Sequence, residues 1–348
     1  NTGGGGCCQG CCPQGPAPCC GCGLFGLCFT TYADYLNWRS TWAATPFTLG
    51  GEGGGFGTLA NDPIVTEFDH DGGMRFGLNQ LLVSGWDMNF EYTYFANTAS
   101  KRVGDMTTDT NNYAFLNADT ILLNTNASNF SNDIGNAENG FVDYARQNLD
   151  IKVNVFDLDA GHNFSPTEYI TARVFGGVRY ATFGHQSGVI YRNLDFDADV
   201  GNFTDSYWIH DDTEMHGWGM KFGTSAAWHL MGGAVSLFGR ASLSVLDANF
   251  HITRHDLAVG QFDARTDEAT RHLDVNGIVP VVELRGGVQV DAGPCFLYCG
   301  YDFANWFNMV QNVRLESDTI PGGNVQTIGF DRSDIGFGGM FAGGGITW

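Results

Sequence analysis

Along most of this chain apolar and polar residues alternate with a period of two. The clearest run is Trp86–Tyr94. Trp86, Met88, Phe90, Tyr92 and Tyr94 share one face, and Asp87, Asn89, Glu91 and Thr93 share the other. Such alternation predicts a β-strand with one apolar face. Just before it Met74, Phe76 and Leu78 alternate with Arg75, Gly77 and Asn79, and a turn near Ser84-Gly85 makes the two runs a hairpin. Leu149, Ile151, Val153 and Val155 alternate with Asp150, Lys152 and Asn154. The phase then slips to Phe156, Leu158 and Ala160, which predicts a bulge. A tight turn at Asn163-Phe-Ser-Pro166 precedes a strand over Tyr169–Phe183, where Ile170, Ala172, Val174, Val178 and Tyr180 oppose Thr171, Arg173 and Arg179. Trp218, Met220, Phe222, Ala226, Trp228 and Leu230 then oppose Lys221, Ser225 and His229. After Met231-Gly-Gly233, Val235, Leu237, Ala241, Leu243 and Val245 oppose Ser236, Arg240, Ser242 and Ser244. Ile278, Val282, Leu284, Val288 and Val290 oppose Glu283, Arg285 and Gln289, and a turn at 291–294 leads into Cys295–Asn308. Finally Met340, Ala342, Gly344, Ile346 and Trp348 fall on one face. With an aromatic candidate at 31–40, the count is ten strands.

The connections sort as strictly as the strands. Short turns near 84, 164, 232 and 292 alternate with polar stretches at about 41–71, 97–145, 186–213, 252–272 and 313–333, read as long loops. An all-β, antiparallel, up-and-down transmembrane β-barrel requires this alternation, with short periplasmic turns, long outer loops and both termini in the periplasm. A secreted soluble sandwich would also alternate, but it explains neither the turn–loop alternation nor a last strand ending on an aromatic. Trp348 is accordingly the expected assembly signal, as in bacterial outer-membrane barrels. No apolar run approaches the roughly 18–20 residues of a membrane helix, so a membrane reading has to be a barrel.

Composition fits. Glycine is 49 of 348 residues, aromatics are 14% and charged residues 16%, against a usual ~25%. The formal charge of −21 argues against a nucleic-acid partner. The chain opens on Asn1 rather than Met, which predicts a removed leader.

Charges on the polar faces become the expected lumen lining: Arg75, Asp87, Glu91, Lys152, Arg173, Arg179, Lys221, Arg240, Glu283, Arg285 and Asp302. A Lys or Arg facing the bilayer midplane costs about 2–4 kcal/mol, so cations belong inside. Two readings stay open. Unpaired at a constriction, the cations make a narrow pore favouring anions. Paired across the barrel, they plug a scaffold. Ten strands enclose little space, since barrels of about eight are filled by side chains and those of 16–18 leave channels.

Residues 1–29 form a separate Cys/Gly/Pro-rich segment, expected in the periplasm, ahead of the barrel at 30–348. Cys7, Cys8, Cys11, Cys12, Cys19, Cys20, Cys22 and Cys28 lie in it. Such density implies an oxidising compartment. Cys8-x-x-Cys11 and Cys19-x-x-Cys22 also have zinc-ligand spacing, but adjacent Cys-Cys pairs and the absence of nearby His favour disulfides. Cys295 and Cys299, four apart on a strand, cannot bond each other, so at least one is expected to pair with the N-terminal segment. Asp195, Asp197 and Asp199 are either a calcium site or solvated loop charge. No other cofactor is expected. The chain carries no G-x-S-x-G, P-loop or H-E-x-x-H pattern, and no catalytic residues are nominated.

Gly85-Trp-Asp-Met-Asn-Phe-Glu-Tyr-Thr-Tyr-Phe95, Arg173-Val-Phe-Gly-Gly-Val-Arg-Tyr-Ala181, Leu237-Phe-Gly-Arg-Ala-Ser242 and Tyr301-Asp-Phe-Ala-Asn-Trp-Phe-Asn-Met309 resemble the Legionella-type major outer-membrane protein family. The resemblance runs from about residue 31 to 348. It implies a pore-forming outer-membrane barrel passing small solutes or ions, set in outer-membrane lipid. The cysteine-dense start departs from that pattern. It points to a structural alternative: homo-oligomers or arrays cross-linked through cysteines to an envelope partner.

Overall fold

A computed structural model describes residues 28–42, 48–52, 62–103, 112–116, 141–195, 206–259, 266–320 and 323–348. In chain order the strands are β1 (Cys28–Trp42), β2 (Thr48–Glu52), β3 (Asp62–Ile64), β4 (His70–Leu81), β5 (Trp86–Val103), β6 (Asn112–Leu116), β7 (Phe141–Thr167), β8 (Ile170–Asp195), β9 (Ser206–Leu230), β10 (Val235–Val259), β11 (Thr266–Ala292), β12 (Cys295–Ile320) and β13 (Gly323–Thr347). Ten of them, all but β2, β3 and β6, form a closed antiparallel ring. Around the turn-side half this closure leaves no sheet edge, as lipid demands, whereas farther out the β11–β12 pairing stops at Val281 and Trp306 and the β1–β13 pairing at Trp42 and Ile335. The three short strands form a side sheet joined to the outer end of β7. The ring closes between β1 and β13, where Trp348 and Phe29 exchange two backbone hydrogen bonds of 2.9 Å and their rings lie 5.4 Å apart.

Strands β7 to β13 are 25 to 27 residues long. About 9–11 residues suffice to span a bilayer. The side-chain pattern shows where the excess goes. Near the turns the outward face is apolar and exposed: Met88 and Phe90, Leu158, Met220 and Phe222, Leu243, Leu284, Met340. This band ends at Tyr92, Phe156, Tyr180 and Trp218, which stand opposite one another on four neighbouring strands with centroids 4.7, 6.1 and 4.7 Å apart. Trp86, Tyr169, Trp228 and Trp348 are exposed at the turn end. These are the two aromatic girdles of a membrane barrel, and positions 218 to 228 of β9 match one bilayer crossing.

Beyond the upper girdle the pattern inverts. On β10, Leu246, Ala248, Phe250 and Ile252 point inward and are buried, while His251 is exposed. On β7, Ile151, Val153 and Val155 are buried and Lys152 is exposed. One apolar cluster, drawn from every barrel strand except β4, lies mostly in the bore here, with Tyr298 and Phe341 nearer the turn end. Water outside and apolar side chains inside is the arrangement of a soluble barrel, so the wall continues as an extension above the lipid.

This inversion corrects several sequence-based expectations. The slip between Val155 and Phe156 is not a bulge, because β7 keeps continuous register there with both neighbours. The medium outside the wall changes, not the strand. Much of the stretches read as loops at 186–213, 252–272 and 313–333 is strand: β8 runs on to Asp195, β9 begins at Ser206, β10 reaches Val259, β11 begins at Thr266, β12 reaches Ile320 and β13 begins at Gly323. The polar stretches at 41–71 and 97–145 contain β2, β3 and β6 and the outer ends of β5 and β7. The expected turn at 163–166 is a register shift between Phe164 and Thr167, and the chain reverses at Glu168-Tyr169 instead.

Candidate functional site

Within the membrane band the inward positions carry charge, and these charges pair. Arg75 (β4) reaches Asp34 (β1) at 3.1 Å and Asp302 (β12) at 3.0 Å. Arg285 (β11) meets the same two carboxylates, at 2.7 Å for Asp34 and 3.6 Å for Asp302. The Tyr298 hydroxyl also donates to Asp34. Around the ring, Arg240 (β10) pairs with Glu91 (β5) at 3.1 Å and lies 3.6 Å from Asp159 (β7). The Tyr32 hydroxyl donates to Glu91 at 2.6 Å. Arg173 (β8) bridges Asp87 and Asp159. Arg179 (β8) holds Asp157 (β7) and Glu283 (β11), each at 2.7 Å, and Lys221 (β9) meets Asp157 at 2.5 Å and Glu283 at 3.5 Å. The tally is six cations (Arg75, Arg173, Arg179, Lys221, Arg240, Arg285) against seven carboxylates (Asp34, Asp87, Glu91, Asp157, Asp159, Glu283, Asp302), a net −1. Many contacts cross the bore rather than run along the wall. Buried ions are tolerable only when partnered in this way.

Ten of the eleven charges named from the sequence take part in this ion-pair network. Lys152 does not. It is exposed on the outer face of β7, above the lipid, because its strand neighbours Ile151 and Val153 take the inward positions. Asp34, Asp157, Asp159, Tyr32 and Tyr298 complete the network and were absent from the expected set. Asp157 and Asp159 were within reach of sequence reasoning, since they alternate with the lipid-facing Phe156 and Leu158.

Below the ion-pair layer, toward the short turns, lies a cavity of about 330 Å³. Its walls carry Arg173, Arg240 and Arg285 with Tyr32, Phe238, Phe296 and Tyr298 and, among the described residues, no carboxylate. Above the layer comes the apolar core. The bore is thus stacked as an open vestibule, a charged layer and an apolar plug.

Outside the lipid, Asp256 and Asp211 are buried beside Arg254. Burial raises both carboxyls, and Asp256 is pushed up to about 6 despite Arg254. On the outer wall His251 binds Asp274 at 2.7 Å, and that hydrogen bond raises the imidazole's pKa. Among the described residues, no three His, Cys, Asp or Glu side chains converge to hold a metal. Asp195 ends β8, and the rest of the calcium candidate, Asp197 and Asp199, lies outside the described residues. So do Cys7, Cys8, Cys11, Cys12, Cys19, Cys20 and Cys22. The expected pairing of Cys295 or Cys299 is not present: both are free thiols, exposed on the outward face of β12.

No curated protein matches the chain. Among solved structures, the chain is similar to the outer-membrane protease OmpT from Escherichia coli, at 10% identity and a TM-score of 0.44, over 92% of this chain and 96% of that one. A major outer membrane protein from Thermus thermophilus aligns at 11% identity and a TM-score of 0.30, over 92% and 99%. A FadL homologue from Pseudomonas aeruginosa aligns at 8% identity and a TM-score of 0.20, over 92% and 90%. The family described as Legionella pneumophila major outer membrane protein precursor matches residues 31–348, and the chain belongs to that family of outer-membrane β-barrels.

Proposed function

We propose that this outer-membrane protein is a closed barrel with a structural role in the envelope. Its short turns and termini face the periplasm, and its extension stands above the outer leaflet. One observation carries the reading: the bore is occupied at two successive levels, first by ion pairs and then by an apolar core. A hydrated pore needs a continuous polar path, and the apolar side chains of the second level leave little room for one. The exposed thiol Cys295, beside the turn, supplies an attachment point for cross-linking to another copy or to an envelope partner, while Cys299 faces outward within the lipid band. Solute passage is the second reading, favoured by the arginine-lined vestibule. It requires both levels to open. Proteoliposome swelling separates the two. A closed barrel leaves swelling rates in small sugars and amino acids at the level of empty liposomes, whereas size-dependent swelling establishes passage. Non-reducing gels of envelope preparations test the cross-links: multimers that collapse with reductant support them, and monomers throughout oppose them.

A further inference from the structure

The vestibule has the chemistry of a ligand site, whether or not the barrel conducts. At about 330 Å³ it falls in the range of small-molecule pockets. Three guanidinium groups line it, and the carboxylates that pair with them do not. Aromatic faces hold these guanidiniums in place. Arg173 and Arg240 each lie 4.8 Å from the Phe175 ring centroid, and Arg285 lies 5.5 Å from that of Tyr298 and 6.0 Å from that of Phe238. Stacking of this kind fixes a guanidinium plane before any ligand arrives. Donor capacity is also left over. Nη2 of Arg240 and Nε of Arg285 are buried without a hydrogen-bond partner, their nearest carboxylate oxygens standing 3.6 Å away. The rest of the wall is apolar or neutral, with Phe238, Phe296, Asn163 and Gln289.

We propose that this vestibule binds a small organic anion, its acidic group against Arg240 and Arg285 and its apolar body against Phe238 and Phe296. Neutral aromatic molecules lack the charge-assisted bonds, and inorganic anions lack the apolar contact.

Isothermal titration of the full-length protein in detergent micelles tests this. Phenyl phosphate is the probe, and inorganic phosphate and benzyl alcohol are the comparisons. The expected result is saturable binding of phenyl phosphate, at least tenfold tighter than phosphate, weakening as salt is raised, with no saturable binding of benzyl alcohol. Ala227→Trp and Gln289→Trp each fill the cavity without touching an ion pair. Each is expected to weaken phenyl phosphate at least tenfold while the melting temperature holds. Two results would overturn the proposal: no saturable binding to the unmodified protein, or unchanged binding in whichever cavity-filling variant folds.

Discussion

Replacing Arg179 with Met removes one of two cations that serve Asp157 and Glu283. Arg179 gives Asp157 two hydrogen bonds of 2.7 and 2.8 Å and Glu283 one of 2.7 Å. In its absence Lys221 alone faces both carboxylates, and Glu283 keeps Ser242 at 2.8 Å. The Arg179 side chain is 1% exposed and that of Asp157 3%, so water cannot take the cation's place. Breaking a buried pair from one side costs about 3–5 kcal/mol, against about 0–1 for a solvated pair. The Glu283 side chain is 28% exposed and recovers some hydration, which sets the expected loss at the lower end, about 3 kcal/mol. Arg179→Met combined with Glu283→Gln leaves Lys221 paired with Asp157, and recovers most of that loss. Equilibrium unfolding in urea, followed by tryptophan fluorescence in micelles, measures both variants. A loss below about 1 kcal/mol for Arg179→Met is the value for a water-filled lumen. Such a value would mean that these ions are hydrated in the folded barrel and not buried as a pair.

Phe250→Ala empties an inward site in the extension, where Phe250 is fully buried, and should cost about 3–5 kcal/mol in the same urea assay. Phe222→Arg, on the lipid face of β9, should cost about 2–4 kcal/mol, visible as a reduced folded fraction on refolding into bilayers. Asp256 titrates near 6 in the folded barrel against 3.8 for a free carboxyl, so the folded state binds the extra proton between about pH 4 and 6. Stability should therefore fall as pH rises through that window, by at most about 3 kcal/mol. Asp256→Asn should flatten that part of the melting-temperature profile.

The membrane half of the fold was legible because lipid enforces a simple code. Trp86, Met88 and Phe90 could only face outward, which put Asp87 and Glu91 inside. The upper half was not legible for the converse reason. Once a strand leaves the lipid, its outer residues turn polar and its inner ones apolar, and His251, Thr253 and His255 read like loop composition. The strand pattern was still present in Leu246, Ala248, Phe250 and Ile252, but shifted by one position from Leu243 and Val245 just below. Lys152 was misassigned through the same inversion, its face having been judged by polarity alone. Whether the lumen charges pair was beyond the sequence, because pairing depends on which strands face each other across the ring. Arg75 and Asp302 are 227 positions apart and meet only once the barrel closes.

If side chains close the bore, the barrel carries no ions across a planar lipid bilayer, and conductance is the measurement to make. With insertion established by protease protection of the turn end, a closed bore leaves the membrane silent at moderate voltage, in the presence or absence of reductant. Steady single-channel steps from the unmodified protein would contradict it and establish the barrel as a pore.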